Sequence, residues 1–353
     1  MRFNTSSSPY IHSGALVGGL MFRVVLALVP AIIAYTWFFG WGLIINTLLA
    51  IAVALGTEAL MLKLRQRPLT PFLTDGSAVV TAVLLAFCLP PLAPWWITVM
   101  GVMFAIIVAK HLYGGLGYNP FNPAMVGYVM LLISFPLEMS TWVPATVLND
   151  LNIGFTDTLL IIFSGQFPHP LSIDTLSAAT PLDTVKTGLG LDKTVAEIIS
   201  SNPIFGDFAG IGWEWVGIWV FLGGVWLIFK RIITWHIPLA LIGSLFTIAL
   251  LFFLLDPDAY PSPTFHIFGG ATMVTAFFIA TDPVSASTTP LGRLIYGAGI
   301  GILIYVIRTW GGYPDAVAFG VLLMNMAAPT IDYYTQPRVY GHKRHEHSDE
   351  GDS

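Results

Sequence analysis

Apolar residues run through this chain in long blocks, not in strict alternation. Ten such blocks lie at 20–38, 43–62, 77–92, 95–112, 124–136, 213–229, 237–255, 267–281, 294–310 and 316–333. A helix needs ~20 apolar residues to cross a bilayer. Most of the blocks meet that length, while those at 124 and 267 are short for a full crossing. The pattern predicts an all-α polytopic membrane protein. The blocks divide the chain into a polar segment 1–19, a first membrane half 20–136, a polar stretch 137–210, a second half 211–335 and a tail 336–353. Segment 1–19 has no small-residue cleavage site after a short apolar core, so no signal peptide is expected.

Composition sharpens this. Hydrophobic residues make up 55% of the chain and charged residues 10%, where soluble proteins carry about a quarter charged residues. A soluble enzyme is excluded, and nothing points to nucleic acid. The single Cys88 lies inside an apolar block. Neither a disulfide framework nor a cysteine-ligated metal or iron–sulfur centre is available. With the N-terminus inside and the segments alternating, twelve of the fifteen Lys and Arg residues fall on the cytoplasmic side; Lys186, Lys193 and Arg308 fall outside. That is a strong positive-inside bias, and it places the 137–210 stretch outside.

The chain also repeats. Val80-Thr81-Ala82 recurs 194 positions later as Val274-Thr275-Ala276, and Gly114-Gly115 recurs 197 positions later as Gly311-Gly312. Each half holds five segments. An odd number forces the second half to insert upside down, which predicts an inverted 5+5 repeat of transporter type.

Candidate chemistry gathers at four places. The first is Asp174-Thr175-Leu176-Ser177-Ala178-Ala179-Thr180-Pro181-Leu182-Asp183, near the middle of the polar stretch. Unstructured connections longer than about 12–15 residues are uncommon and often functional. A hydroxyl, Thr180, stands near an acid, Asp174, with small residues between. This suits a residue meant to be modified. It equally suits a helix start with Thr180 as N-cap and Pro181 at the first helical position. The two roles are compatible. Second, Asp75 and Asp282 both place an acid at the cytoplasmic end of an apolar block, in matching positions of the two halves. They are candidates for ion coupling or plain helix caps in the wet interface. Third, the stretch 113–123 is too rich in Gly and Pro for a regular helix. It could wrap a planar ligand, with Asn119 and Asn122 as hydrogen-bond partners, or form an ordinary turn. Fourth, His342, His345 and His347 sit in the charged tail, as a metal site or as a solvated end.

The pattern Asp174-x-x-Ser177-x-Ala179-Thr180 resembles the recognition sequence of flavin transferases, which esterify FMN to the last Thr; the usual form has Gly where this chain has Ala178. Ser7-Ser8-Pro9-Tyr10, Tyr113-Gly114-Gly115-Leu116-Gly117, Asn119-Pro120-Phe121-Asn122-Pro123-Ala124, Thr281-Asp282-Pro283-Val284 and Asp332-Tyr333-Tyr334-Thr335 carry the resemblance across the whole chain. Together these stretches resemble the RnfD/NqrB family of subunits of ion-translocating electron-transport complexes. The resemblance implies a urea-transporter-like 5+5 scaffold in a bacterial inner membrane. It implies covalent FMN on Thr180, with Asp174, Ser177 and Ala179 read by the transferase, and the flavin loop on the periplasmic side. Lys186 would stand near the phosphate if the segment after Pro181 is helical. A second, non-covalent riboflavin is implied without residues. The partners implied are the other subunits, the flavin transferase and the bilayer. The function implied is electron relay between ferredoxin and NAD, coupled to sodium or proton movement. The repeat alone leaves open a small-solute or ion transporter without redox role.

Overall fold

The computed structural model describes residues 17–148, 153–167, 172 and 176–337. Among these, α-helices account for nearly all regular structure. In the first half they are α1 Val17–Phe39, α2 Gly42–Leu64, α3 Leu69–Leu73, α4 Ser77–Cys88, α5 Trp95–Phe104 and α6 Pro123–Ser134. A π-helical stretch, Ala105–His111, continues α5. The polar stretch forms α7 Pro136–Ser140, α8 Phe155–Ser164, α9 Pro181–Leu189 and α10 Val195–Ser201. The second half contains α11 Trp213–Phe229, α12 His236–Leu255, α13 Pro263–Phe268, α14 Thr272–Val274, α15 Pro290–Trp310 and α16 Val317–Thr335, with a second π-helical stretch, Thr275–Ile279, after α14. Among the described residues, five helical segments are long and apolar enough to cross a membrane. The shorter ones pack within the same bundle, and the protein is an all-α, multi-pass membrane protein.

The packing carries the repeat. Helix α2 lies on α4 and α5, and α5 on α6; likewise α12 lies on α13 and α15, and α15 on α16. Across the halves, like meets like: α1 packs on α11 and α6 on α16. Pairing of equivalent elements is what an approximate two-fold relation between halves produces. Small residues let the backbones approach, as membrane interfaces require. A methyl group on Gly127 of α6 would stand 2.6 Å from the Gly101 carbonyl oxygen of α5. One on Gly297 of α15 would stand 2.7 Å from the Ile237 carbonyl oxygen.

The third segment of the second half is broken. Helix α13 stops at Phe268, and the chain turns through Gly269 and Gly270 before α14. Gly270 has φ +60. A side chain there would also meet Asp315 Oδ2 at 2.7 Å and Arg308 Nη2 at 3.0 Å. Glycine is therefore required twice over, by backbone conformation and by space.

The stretch 137–210 is less uniformly polar than its sequence suggests. Helix α8 is apolar but only ten residues long, too short to cross. It lies along α2, with Phe155 edge-on to Trp41 at 5.6 Å. Helices α9 and α10 close a small second core of Leu182, Val185, Ile198 and Ala209 over Phe265 of α13. The described part of the loop is thus a folded cap seated on one face of the bundle, here termed the loop face.

Candidate functional site

The Thr180 segment is fixed at both ends. Ala178 donates its N–H to the Trp142 carbonyl at 2.8 Å, pairing the two stretches as an isolated antiparallel bridge. Thr180 has extended backbone, and its Oγ1 accepts the Asp183 N–H at 3.2 Å as N-cap of α9. Pro181 takes the first helical position, where its missing N–H is not needed. Leu176 is buried and anchors the segment, whereas Ser177 and Ala179 are exposed and Thr180 is half-buried. Asp174 lies outside the described residues, as do 7–10 and the tail histidines.

Thr180 also lines a cavity of about 320 Å³ between the halves. The first half contributes Phe87 and Cys88 from the end of α4, and Met125, Tyr128 and Leu132 from α6. The second half contributes one face of α11 from Trp213 to Val220, the break at Gly269-Gly270, and Val317 and Ala318 of α16. Trp142, Tyr313 and residues 180–183 complete the wall. Trp213 is held by Phe39 at 4.4 Å, Tyr35 at 5.6 Å and Trp142 at 5.4 Å between ring centres. The lining is largely apolar and aromatic; its two carboxylates are Asp183 and Asp315.

Asp315 is held rigidly. Its Oδ1 accepts from Arg308 Nη2 at 3.0 Å, and its Oδ2 accepts the Ala271 N–H at 3.0 Å. The buried Arg308 guanidinium also donates to the His266 carbonyl at 2.7 Å, the Gly269 carbonyl at 3.1 Å and Thr272 Oγ1 at 2.9 Å. Arg308 thus splints the broken segment.

Lys186 is not a phosphate partner in this arrangement. Its ammonium donates to the Arg308 and Tyr313 carbonyls, each at 3.1 Å, and to the Gly311 carbonyl. Three acceptors match its three N–H groups. Partial burial pulls its pKa below the ordinary lysine value, and the Asp183 charge opposes this. Lys186 docks α9 onto the end of α15. The expectation failed because an α-helix turns 100° per residue, and position 186 projects toward α15 instead of back along the axis to Thr180.

The remaining candidates lie on the opposite face. Asn122 is a helix cap: its Oδ1 accepts from the Ala124 and Met125 N–H groups, and its Nδ2 donates to the Ile279 carbonyl at 3.2 Å. Its own N–H goes to Asn325 Oδ1 at 3.1 Å. Both ends of its amide are thus engaged within the protein, which makes Asn122 a stitch between the halves. Asn119 donates to the Phe121 carbonyl at 3.0 Å, and its buried Oδ1 has no partner. Asp75 caps the start of α4 through the Ser77 N–H and hydroxyl, at 2.7 and 2.5 Å. Asp282 follows the second π-helical stretch and accepts from Ser285 Oγ at 2.7 Å. One acid precedes its segment and the other follows, so they do not occupy equivalent positions in the repeat. They share a face only because the halves are inverted.

Sequence reasoning missed a buried ion pair, Lys110–Glu58. Lys110 also donates to Ser77 Oγ at 2.8 Å, and His111 Nε2 lies 3.6 Å from Glu58. The signal was present, since Glu58 and Lys110 interrupt apolar runs. Lys110, four residues before Gly114, holds the start of α4. Arg308, three residues before Gly311, holds the start of α14. The two cations play matching parts on opposite faces.

The sequence pattern of the NQR2, RnfD, RnfE family matches residues 4–341. A protein of Aliivibrio salmonicida, named as the D subunit of an ion-translocating oxidoreductase complex, is 54% identical over 98% of this chain and all of its own length. Proteins of the same name from Aeromonas salmonicida and Escherichia coli O127:H6 are 53% and 51% identical, over 97% and 98% of this chain and 99% and 100% of their own. With the family pattern running nearly end to end and half of all positions shared with full-length relatives, this chain belongs to the NQR2, RnfD, RnfE family.

Proposed function

We propose that this chain is a membrane subunit of an ion-translocating oxidoreductase complex that carries one FMN as a phosphoester on Thr180 and passes electrons through it. The names of its relatives support the complex. One observation carries the flavin: the hydroxyl that ends the transferase-like pattern lines an aromatic cavity of about 320 Å³. Ligand pockets of about 300–1,000 Å³, mainly apolar with a few placed polar groups, are the ordinary size for cofactors. The residues fit a tethered tricyclic ring. Trp142, Trp213, Tyr128 and Tyr313 would hold it, and the rigid Trp213 cluster would keep water from one side.

Attachment needs an activated flavin phosphate. The Thr180 oxygen forms the new P–O bond, a phosphoanhydride P–O bond of the activated flavin breaks, the other phosphate leaves with the bonding pair, and the hydroxyl proton is lost to solvent. Esterification keeps a lone pair on Oγ1, so the cap from Asp183 N–H survives. When bound, the flavin supplies one- and two-electron transfer. The chain's own part is placement, exclusion of water and the fixed charges around the cavity.

In this reading the loop face is periplasmic, the membrane is the bacterial inner membrane, and electron flow between ferredoxin and NAD drives sodium or proton movement. A flavin transferase is the processing partner, and a second, non-covalent riboflavin belongs to the reading without assigned residues. Asp75 and Asp282 remain candidates for ion coupling. Peptide mass spectrometry of the chain co-expressed with its transferase tests the core claim: FMN is expected on Thr180 and absent from Thr180→Ala. FMN on another residue overturns the assignment to Thr180, and none at all overturns the flavin reading and favours a transporter without redox role.

A further inference from the structure

The fixed charges beside the cavity are few and unusually well held. Asp315 has one partner for each oxygen, and a quarter of its side chain remains exposed, while the Arg308 side chain is 2% exposed. The cation sits behind, in the bundle, and the anion lines the cavity. Cys88 and Tyr128 line the same cavity from the first half.

The repeat makes the arrangement informative. In the first half the matching cation, Lys110, takes its acid from α2, as Glu58, fully inside the bundle. In the second half the acid comes from the turn after α15. Asp315 neutralises the buried cation and takes the Ala271 N–H of the break, as Glu58 neutralises Lys110, but unlike Glu58 it also borders the cavity. Lys186 adds to the rigidity, because its three carbonyl partners lie on the same 308–313 turn that leads to Asp315.

We propose that Asp315, fixed by Arg308, sets the redox potential of the ring seated in the cavity, as a positioning residue that presents one negative charge to it. The proposal rests on the flavin reading above. Reduction by two electrons, with one proton taken from water, adds one negative charge to the ring. A fixed carboxylate disfavours that added charge, and the arginine behind it favours it. At an effective protein dielectric of ~20 and a separation of roughly 10 Å, a unit charge changes the oxidised-to-reduced ratio by about tenfold.

The test is a dithionite titration of the purified full-length chain with its covalent flavin, read by visible absorbance. Asp315→Asn is expected to raise the midpoint by about 30 mV, the two-electron equivalent of tenfold. Arg308→Gln is expected to lower it. Asp315→Glu and Arg308→Lys, which keep the charges, are expected to stay near the wild-type value. Opposite signs for the two partners are something a merely structural role does not produce. Shifts of the same sign, or none, overturn the proposal. So does loss of the flavin from both neutral variants, Asp315→Asn and Asp315→Ser, because a residue that only tunes the ring leaves attachment intact. Failure of the flavin reading looks different: the wild-type chain then carries no covalent flavin to titrate.

Discussion

Thr180 has two roles in one atom, and they can be pulled apart. Its Oγ1 caps α9 through the Asp183 N–H, and the same oxygen is the proposed site of esterification. Asn caps helices at least as well as Thr but has no hydroxyl, whereas Ala does neither. Thr180→Asn is therefore expected to lose the flavin and keep the helix. Thr180→Ala is expected to lose both, and Thr180→Ser to keep both. The capping loss should be about 1 kcal/mol, on a nine-residue helix with a single side-chain cap bond. That corresponds to roughly fivefold in a local opening equilibrium. Hydrogen exchange over residues 181–189, compared between unflavinylated Thr180→Ala and Thr180→Asn, reads this directly. In-gel flavin fluorescence after denaturing electrophoresis reads the attachment. Fluorescence retained in Thr180→Asn would move the acceptor elsewhere. Equal exchange in the Ala and Asn variants would refute the capping argument.

Three further outcomes are expected. Ala318→Phe puts a ring into the cavity; the flavin should stay covalently attached but lose fluorescence anisotropy, and unchanged anisotropy means that the ring sits elsewhere. Glu58→Gln strands the buried Lys110 and should cost about 3–5 kcal/mol, while a double change of Glu58 and Lys110 to Met should cost less than the single one; thermal unfolding in detergent checks the order. Cysteines introduced at Ser177 and Arg231, in a Cys88→Ala background, should label only at 177 with an impermeant reagent in intact cells, and the reverse pattern removes the periplasmic assignment.

The sequence by itself placed the apolar segments, because burial in lipid demands long apolar runs; the structure finds helix at each of them, and among the described residues five helical segments are long enough to cross. It also carried the repeat and the Thr180 cap, both local in origin: a Thr-Pro-x-Asp string starts a helix wherever it lies. What hydropathy could not show was who meets whom. Lys186 looked like a phosphate partner along the chain, but tertiary packing turned it onto the carbonyls ending α15. Asn122 looked like a ligand group and became a cap joining the halves. Asp75 and Asp282 looked equivalent and are not, since inversion of the repeat brings unrelated positions to one face. The cavity depended most of all on tertiary structure. Its walls come from α4, α6, α11, the Gly269-Gly270 break and the loop, residues far apart in sequence with no shared period. Asp315, which lines it, drew no notice as sequence, and the Arg308 behind it counted only toward the charge bias, because a charge's effect depends on its neighbours and its burial. Both are decided only when the two halves close on each other.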